Sequence, residues 1–372
     1  VGSHGHHQLI RRLAVVRGTM KVRVLCRPAF DYARKDHEVD IRPGGACFQS
    51  AELSLALTTP APLQVEGKAA VAELELKEGQ RVTFVLSGLE GAEGCPQSIS
   101  EAEAEAAFRS THDYWQRWLA GCNYRGRWRE MVHRSALALK LLTFQPTGAI
   151  VAAPTCSLPA PIGGERNWDY RYTWIRDASF TLYGLMRIGF TEEAAGFMRW
   201  LGARIQETGG DGALQIMYGI DGRTDLTETT RDDLTGYAGA RPVRIGNGAF
   251  DQRQNDVYGA VLDSILLHTR RSERLPRRLW PIVETQAECA TNVWRQPDQG
   301  IWEARGEPQH YVSSKLMCWV ALDRAAKLAA IRGDPTREAA WRATADEIGA
   351  DILEHGAAGG VLRQHYATEA LD

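Results

Sequence analysis

The spacing of apolar residues changes period once along this chain, and that change divides what the chain can fold into. Up to about Leu89, Val22, Val24 and Cys26 alternate with Lys21 and Arg23, and Leu74 and Leu76 alternate with Glu73, Glu75 and Lys77. Period-two patterning gives each segment one dry and one wet face, which predicts antiparallel strands. Lys77-Glu78-Gly79-Gln80 predicts a hairpin turn into Val82, Phe84 and Leu86, and the region reads as part of a β-sandwich, with too few strands for a complete one.

From Cys95-Pro96 the pattern turns helical. Ser98 with Glu101 predicts a capping box ahead of an Ala/Glu-rich helix running towards Trp115 and Trp118. Later helices are predicted for Trp128 to Phe144, Asp177 to near Gly189, and from Thr191 to Gly209-Gly210. Others follow from Gln254 to about Thr269, from Pro281 to Trp294, from Ser313 to Ile331, and from Asp334-Pro335 to Gly356. The expected organisation is part of a sandwich over 1–95, a linker helix over 96–125 and a helical domain over 126–372. The stretch from Asp211 to Phe250 is long for a loop in a compact domain, which predicts an active-site wall.

A chain of 372 residues can bury a sizeable core, and two domains are the starting expectation. A net charge of −2 gives no basis for binding nucleic acid, and the Arg-rich stretch Arg270 to Arg278 reads as a solvated loop. Seven cysteines without a Cys-x-x-Cys pair argue against a disulfide framework and suit a reducing cytoplasm. No apolar run approaches the roughly 20 residues that span a bilayer, so no membrane association is expected. His4, His6 and His7 lack a nearby carboxylate and read as a polar approach to a strand, not a metal site. Because the chain starts at Val1 without Met and stops at Ala370-Leu371-Asp372 in what reads as mid-element, a fragment is expected.

Two short segments carry the chemistry. Trp168, Asp169, Arg171, Tyr172, Trp174, Arg176 and Asp177 crowd aromatic and charged side chains together as no hydrophobic core would. Flat rings stack on pyranoses, while Arg and Asp give directional hydrogen bonds to hydroxyls, so the strip suits a sugar-binding floor; a salt-bridged knot at a helix start is the plainer alternative. The second segment, Gly300-Ile301-Trp302-Glu303-Ala304-Arg305-Gly306, precedes a helix whose Leu316, Met317, Val320, Ala321, Leu328 and Ile331 fit a buried face. A carboxyl group beside Trp302 is partly desolvated, which raises its pKa as a general acid requires. An exposed loop Glu is the alternative.

These motifs together resemble glycoside hydrolase family 15, which contains glucoamylases, glucodextranases and a bacterial trehalase branch. His7-Gln8-Leu9-Ile10-Arg11-Arg12 and Arg27-Pro28-Ala29-Phe30-Asp31-Tyr32 resemble the sandwich domain of its bacterial members. Asn167 to Asp177, Pro242-Val243-Arg244-Ile245-Gly246-Asn247, Trp302-Glu303-x-Arg305-Gly306 and His310 to Lys315 resemble its catalytic domain. The resemblance implies a mainly α protein: an antiparallel β-sandwich followed by an (α/α)6 barrel whose loops accept the non-reducing end of an α-glucoside, hydrolysed with inversion. By similarity Trp174, Arg176 and Asp177 line the terminal-glucose subsite, Trp302 flanks the scissile bond and Glu303 is the general acid. Trp168, Asp169, Arg171, Gln254, Asp256, His310 and Lys315 are expected near the pocket, as supports or as contacts. The reaction implied needs neither an organic cofactor nor a metal, and self-association into a homo-oligomer stays open.

Inversion needs a second carboxylate about 6.5–9.5 Å from the first. In the family it lies on a late loop, so the base is expected to be absent from this chain, and Glu307, Asp323 and Glu338 sit in no comparable motif. An (α/α)6 barrel uses about twelve helices, and the count from Trp128 reaches roughly seven. Fungal-type glucoamylases carry a second acid directly after the first, where this chain has Ala304, so trehalose or another short α-glucoside competes with maltooligosaccharides as substrate. The alternative function is a carbohydrate-binding or scaffold protein with an incomplete site. A phosphorylase would need a basic, Gly-rich anion loop that the sequence does not show.

Overall fold

The computed structural model describes residues 8–89, 99–207, 213–272 and 275–371. His4, His6, His7, Cys95-Pro96, Ser98 and Gly209-Gly210 lie outside them. The chain divides into two compact units after Ala120.

The first unit holds β1 (Gln8–Ala14), β2 (Thr19–Cys26), β3 (Glu38–Arg42), β4 (Gly45–Gln49), β5 (Ser54–Thr58), β6 (Gln64–Glu66), β7 (Ala69–Lys77) and β8 (Arg81–Leu89), then α1 (Glu101–Ala120). The strands form two antiparallel sheets, β1-β8-β5-β4-β3 and β2-β7-β6. Alternation works as read: Val24, Cys26, Leu74 and Leu76 face a core built on Phe48, Leu57, Ala70, Val82 and Phe84. The turn at Lys77–Gln80 forms, with Gln80 N donating to Lys77 O at 2.9 Å and Gly79 at φ +80°. It is not a hairpin, because β7 pairs with β2 and β6 while β8 pairs with β1 and β5. The turn instead carries the chain from one sheet to the other, so that both strands turn their apolar faces to one core. A second such corner, between β1 and β2, lies against it: Gly79 N donates to Val15 O at 2.9 Å and Glu78 N to Gly18 O at 2.7 Å.

Residues Gly45 to Phe48 of β4 are buried at every position, so β4 shows no period-two signal in the sequence. Cys47 among them is disulfide-bonded, against the expectation drawn from the cysteine count, while Cys26, Cys122, Cys156, Cys289 and Cys318 are free. Spacing in sequence does not report which thiols meet in space. The capping box of α1 is also displaced by two residues: Glu103 N donates to Ser100 Oγ at 3.2 Å and Ser100 N to Glu103 Oε2 at 2.7 Å. Glu101 is left to pair with Arg12 at 3.0 Å.

The second unit is helical: α2 (Arg129–Leu141), α3 (Ile175–Arg187), α4 (Glu192–Glu207), α5 (Val257–Ser272), α6 (Trp280–Val293), α7 (Val312–Arg332) and α8 (Pro335–His355). Helices α3, α5 and α7 pack side by side, and α6 and α8 back them, the alternation of inner and outer helices expected of an (α/α)6 barrel. Their shared core includes Ile175, Leu182, Phe197, Val261, Ile265, Leu322 and Ile348. Helix α8 is capped as its sequence implies, Arg337 N donating to the Asp334 side chain at 3.1 Å.

The predicted face of α7 needs correction. Leu316 is 41% and Ile331 51% exposed, whereas Cys318, Ala321, Leu322, Ala325, Ala326, Leu328 and Ala329 are buried. Small residues bring neighbouring backbones close, so an alanine stripe outcompetes the larger side chains for the interface. The approach is tightest at Gly259 of α5, where a Cβ would stand 2.3 Å from the Met317 carbonyl oxygen. Gly259→Ala is therefore expected to destabilise the protein by about 1–3 kcal/mol through forced separation of α5 and α7. Chemical denaturation measures this, and an unchanged midpoint counts against the close packing.

Among the described residues no helix is long and apolar enough to cross a membrane, and no group of three or more His, Cys, Asp or Glu is placed to hold a metal ion.

Candidate active site

The strip from Trp168 to Asp177 ends on α3. Thr173-Trp174 pairs antiparallel with Met217-Tyr218, and Ile175 N donates to Ile216 O at 3.0 Å, which fixes Trp174 at the residue before the helix. Its indole is buried with Tyr172, Ile216, Met217, Leu226 and Ala249. Arg176 and Asp177 consequently occupy the first turn of α3, where the helix dipole favours a carboxylate.

The Arg176 guanidinium is the electrostatic centre. Its Nη1 donates to Gln254 Oε1 at 2.9 Å and to Asp256 Oδ2 at 3.2 Å. Its Nη2 lies 3.5 Å from Asp177 Oδ2 and 3.7 Å from Glu303 Oε1. One cation thus answers three carboxylates, of which Asp256 is buried.

Glu303 comes from a loop closed at its base by Asp298 and Gln309, whose backbones exchange hydrogen bonds of 3.0 and 2.8 Å. The Asp298 carboxyl accepts Asn255 N at 2.7 Å and is pushed up to about 6 by burial. Gln252 Nε2 donates to the carbonyls of Glu303 and Ala304 at 3.4 and 3.3 Å, tying this loop to the segment ahead of α5. Glu303 itself has φ +55°, a left-handed conformation that costs a non-glycine residue about 1–2 kcal/mol. Such strain persists where surrounding contacts hold it in place, and here it sets the direction of the carboxyl group.

That carboxyl meets the strip directly: Trp174 Nε1 donates to Glu303 Oε1 at 2.7 Å, across 129 residues of sequence. Burial pushes Glu303 above the usual carboxylate range, opposed by the Trp174 N–H and the Arg176 charge. Asp177 is likewise pushed up by burial. The source of the Glu303 desolvation differs from the one expected, the neighbouring Trp302. Trp302 is 74% exposed, and the indole against the carboxyl is that of Trp174.

Around these groups lies a pocket of about 290 Å³, lined by Trp168, Tyr170, Trp174, Arg176, Asp177, Asn247, Trp302, Glu303 and Arg305 among others. The volume is at the small end for ligand sites and suits one small ring held by several polar groups. The loop 213–250 contributes Asn247 and Ala249, in keeping with a wall. Trp168 lies against two cations, the Arg244 and Arg305 guanidinium carbons standing 4.6 and 4.7 Å from its ring centroid. Both arginines bond Glu228, at 3.1 and 3.2 Å.

Asp169 and Arg171 do not line the pocket. Arg171 Nε and Nη2 donate to the fully buried Asp169 carboxylate at 2.8 and 2.6 Å, and Gly246 N adds a bond of 3.2 Å, which anchors the strip to 244–247. Gln254 and Asp256 sit behind Arg176. His310 and Lys315 point elsewhere: the buried Lys315 donates to the carbonyls of Trp294 and Gln296, its ammonium pKa lowered by burial, and His310 stacks on Tyr366 at 5.8 Å. Lys315 falls within the first turn of α7, which aims it into the helical layer. Asp323 is consumed by ion pairs with Lys327 and Arg342 at 2.6 and 2.8 Å. Tyr170, Arg244, Asn247 and Arg305 stand inside the family-like segments without having been singled out, whereas Glu228 carries no signal in the sequence.

Residues 126–370 match the family described as "Glycosyl hydrolases family 15". Over 98% of its length the chain is 46% identical to a protein named trehalase from Mycobacterium tuberculosis and 43% identical to one named trehalase from Mycolicibacterium smegmatis. It spans about half the length of these curated relatives, 55% and 56% respectively. Among solved structures, a bacterial glucoamylase complexed with acarbose aligns with a TM-score of 0.57 over 88% of this chain and 50% of that one, at 15% identity, which is a likeness of fold.

Proposed function

Since the chain belongs to glycosyl hydrolases family 15, we propose that the protein is an exo-acting α-glucoside hydrolase whose substrate is trehalose and whose general acid is Glu303. The observation that carries this reading is the meeting of Glu303 with Trp174 and Arg176 at the wall of a ring-sized pocket. A carboxyl whose hold on its proton is strengthened by burial is suited to give that proton to the departing glycosidic oxygen as the ring gains oxocarbenium character. Arg176 and Asp177 would bond the outer hydroxyls of the terminal glucose, and Trp302 would border the scissile bond. The names of the relatives favour trehalose over maltooligosaccharides, as does Ala304.

Inversion is the stereochemistry proposed, with a carboxylate base across the ring that is not assigned among the described residues. The other carboxylate lining the pocket, Asp177, is engaged with Arg176. The test is a panel of trehalose, maltose, maltotriose, isomaltose and soluble starch with the full-length protein, following the released anomers by NMR. Trehalose is expected to be hydrolysed preferentially, yielding initial β- and α-glucose in equal amounts. Release of α-glucose alone means retention, and binding without turnover leaves a carbohydrate-binding protein.

A further inference from the structure

Two residues beyond Glu303, Arg305 lines the same pocket with its side chain 53% exposed. Among the described residues its hydrogen-bond partner is Glu228, reached by one Nη2 at 3.2 Å. A guanidinium carries five N–H donors, so most of its donors are left for a ligand. Glu228 is a firm anchor: its side chain is only 17% exposed, and it also accepts Arg244 Nε and Gly248 N, each at 3.1 Å. Arg244 is spent elsewhere, donating to Glu165 O at 2.7 Å. Arg244 is also only 14% exposed and does not line the pocket, so of the two cations against Trp168, Arg305 is the one that offers donors there. Ala304 beside it brings no polar group of its own.

We infer that Arg305, positioned by Glu228, grips the hydroxyls of the leaving sugar and makes the site select small, hydroxyl-rich leaving groups. The inference rests on the hydrolase reading above and adds the specificity of the second subsite. A planar donor fork held on one side by a carboxylate presents its other edge in a fixed direction, which suits vicinal sugar hydroxyls. Loss of Glu228 leaves two guanidiniums beside one indole without a counter-ion, and Arg305 is then free to swing out.

The test compares trehalose with α-D-glucosyl fluoride, whose leaving fluoride makes no sugar contact. In Arg305→Met of the full-length protein, kcat/KM for trehalose is expected to fall about 10- to 100-fold, as for loss of a charge-assisted hydrogen bond, with the fluoride changed by no more than about twofold. Glu228→Gln should show the same selective loss at smaller size, and no further selective loss in the Arg305→Met background. Turnover of the fluoride reports that each variant is folded. Equal losses on both substrates overturn the role of Arg305 and leave the hydrolase reading standing. Additive losses in the double variant overturn the positioning by Glu228. A wild-type protein inert towards both substrates removes the hydrolase reading itself and this inference with it.

Discussion

Replacing Glu303 with Gln is expected to lower kcat on trehalose by about 10²- to 10⁴-fold, the usual worth of a positioned general acid. The change keeps shape and the acceptor for Trp174 Nε1, which stands 2.7 Å away, but removes the transferable proton. On α-D-glucosyl fluoride, which departs without protonation, the loss should be much smaller. A second consequence follows from burial, which holds Glu303 above its ordinary range. A carboxyl that binds its proton more tightly when folded makes the native state less stable as pH rises from the unfolded value through the folded one. The Gln variant escapes this. It should therefore melt at or above the wild-type temperature at pH 8, with the difference vanishing below about pH 4, where both are neutral. A variant that is less stable than wild type at pH 8, or one that loses both substrates equally, contradicts the assignment of Glu303 as a desolvated acid.

The two segments that build the pocket were legible because their composition is unsuited to any other place. Trp174, Arg176, Asp177 and Glu303 combine large rings with charges, and a chain of 372 residues has few places to satisfy both except a walled polar pocket. Their helices were legible for a similar reason: Asp334-Pro335 and Gly356 mark α8 by local physics alone. What escaped reading depends on partners distant in sequence. Glu228 is an ordinary loop glutamate until Arg244 and Arg305 arrive from elsewhere, 16 and 77 residues away. The corner at Lys77–Gln80 has the composition of a hairpin, and only the competition of two sheets for one core sends its strands apart. The α7 interface misled because large apolar residues are assumed to win burial, whereas here the alanines set the helix spacing. His310 and Lys315 shared a motif with Glu303, but both follow the Asp298–Gln309 closure of the loop that carries the acid, and the first turn of α7 sends Lys315 into the helical layer.

Arg176→Met should have the broadest effect of any single change, because that one cation answers Asp177, Asp256 and Glu303. Asp256 has a side chain only 3% exposed, and stripping the partner from a buried ion pair costs about 3–5 kcal/mol. This deficit should appear as a lower denaturation midpoint at pH 7, measured against wild type. Trehalose turnover should fall by about 10²- to 10³-fold, as for removal of an oriented donor from a water-poor site. The pH profile distinguishes this variant from a merely unstable one. Arg176 holds Glu303 and Asp177 down against the upward push of burial, so its loss lets both rise. An acid that must be protonated to act fails on the alkaline side of its pKa, and the basic limb of kcat/KM should accordingly move to higher pH in the variant. Arg176→Lys should restore stability more than activity, since an ammonium supplies the charge without the fork whose Nη1 reaches Gln254 and Asp256 while its Nη2 faces Asp177 and Glu303. Wild-type stability at pH 7 together with an unmoved basic limb would show that the three carboxylates do not depend on this guanidinium.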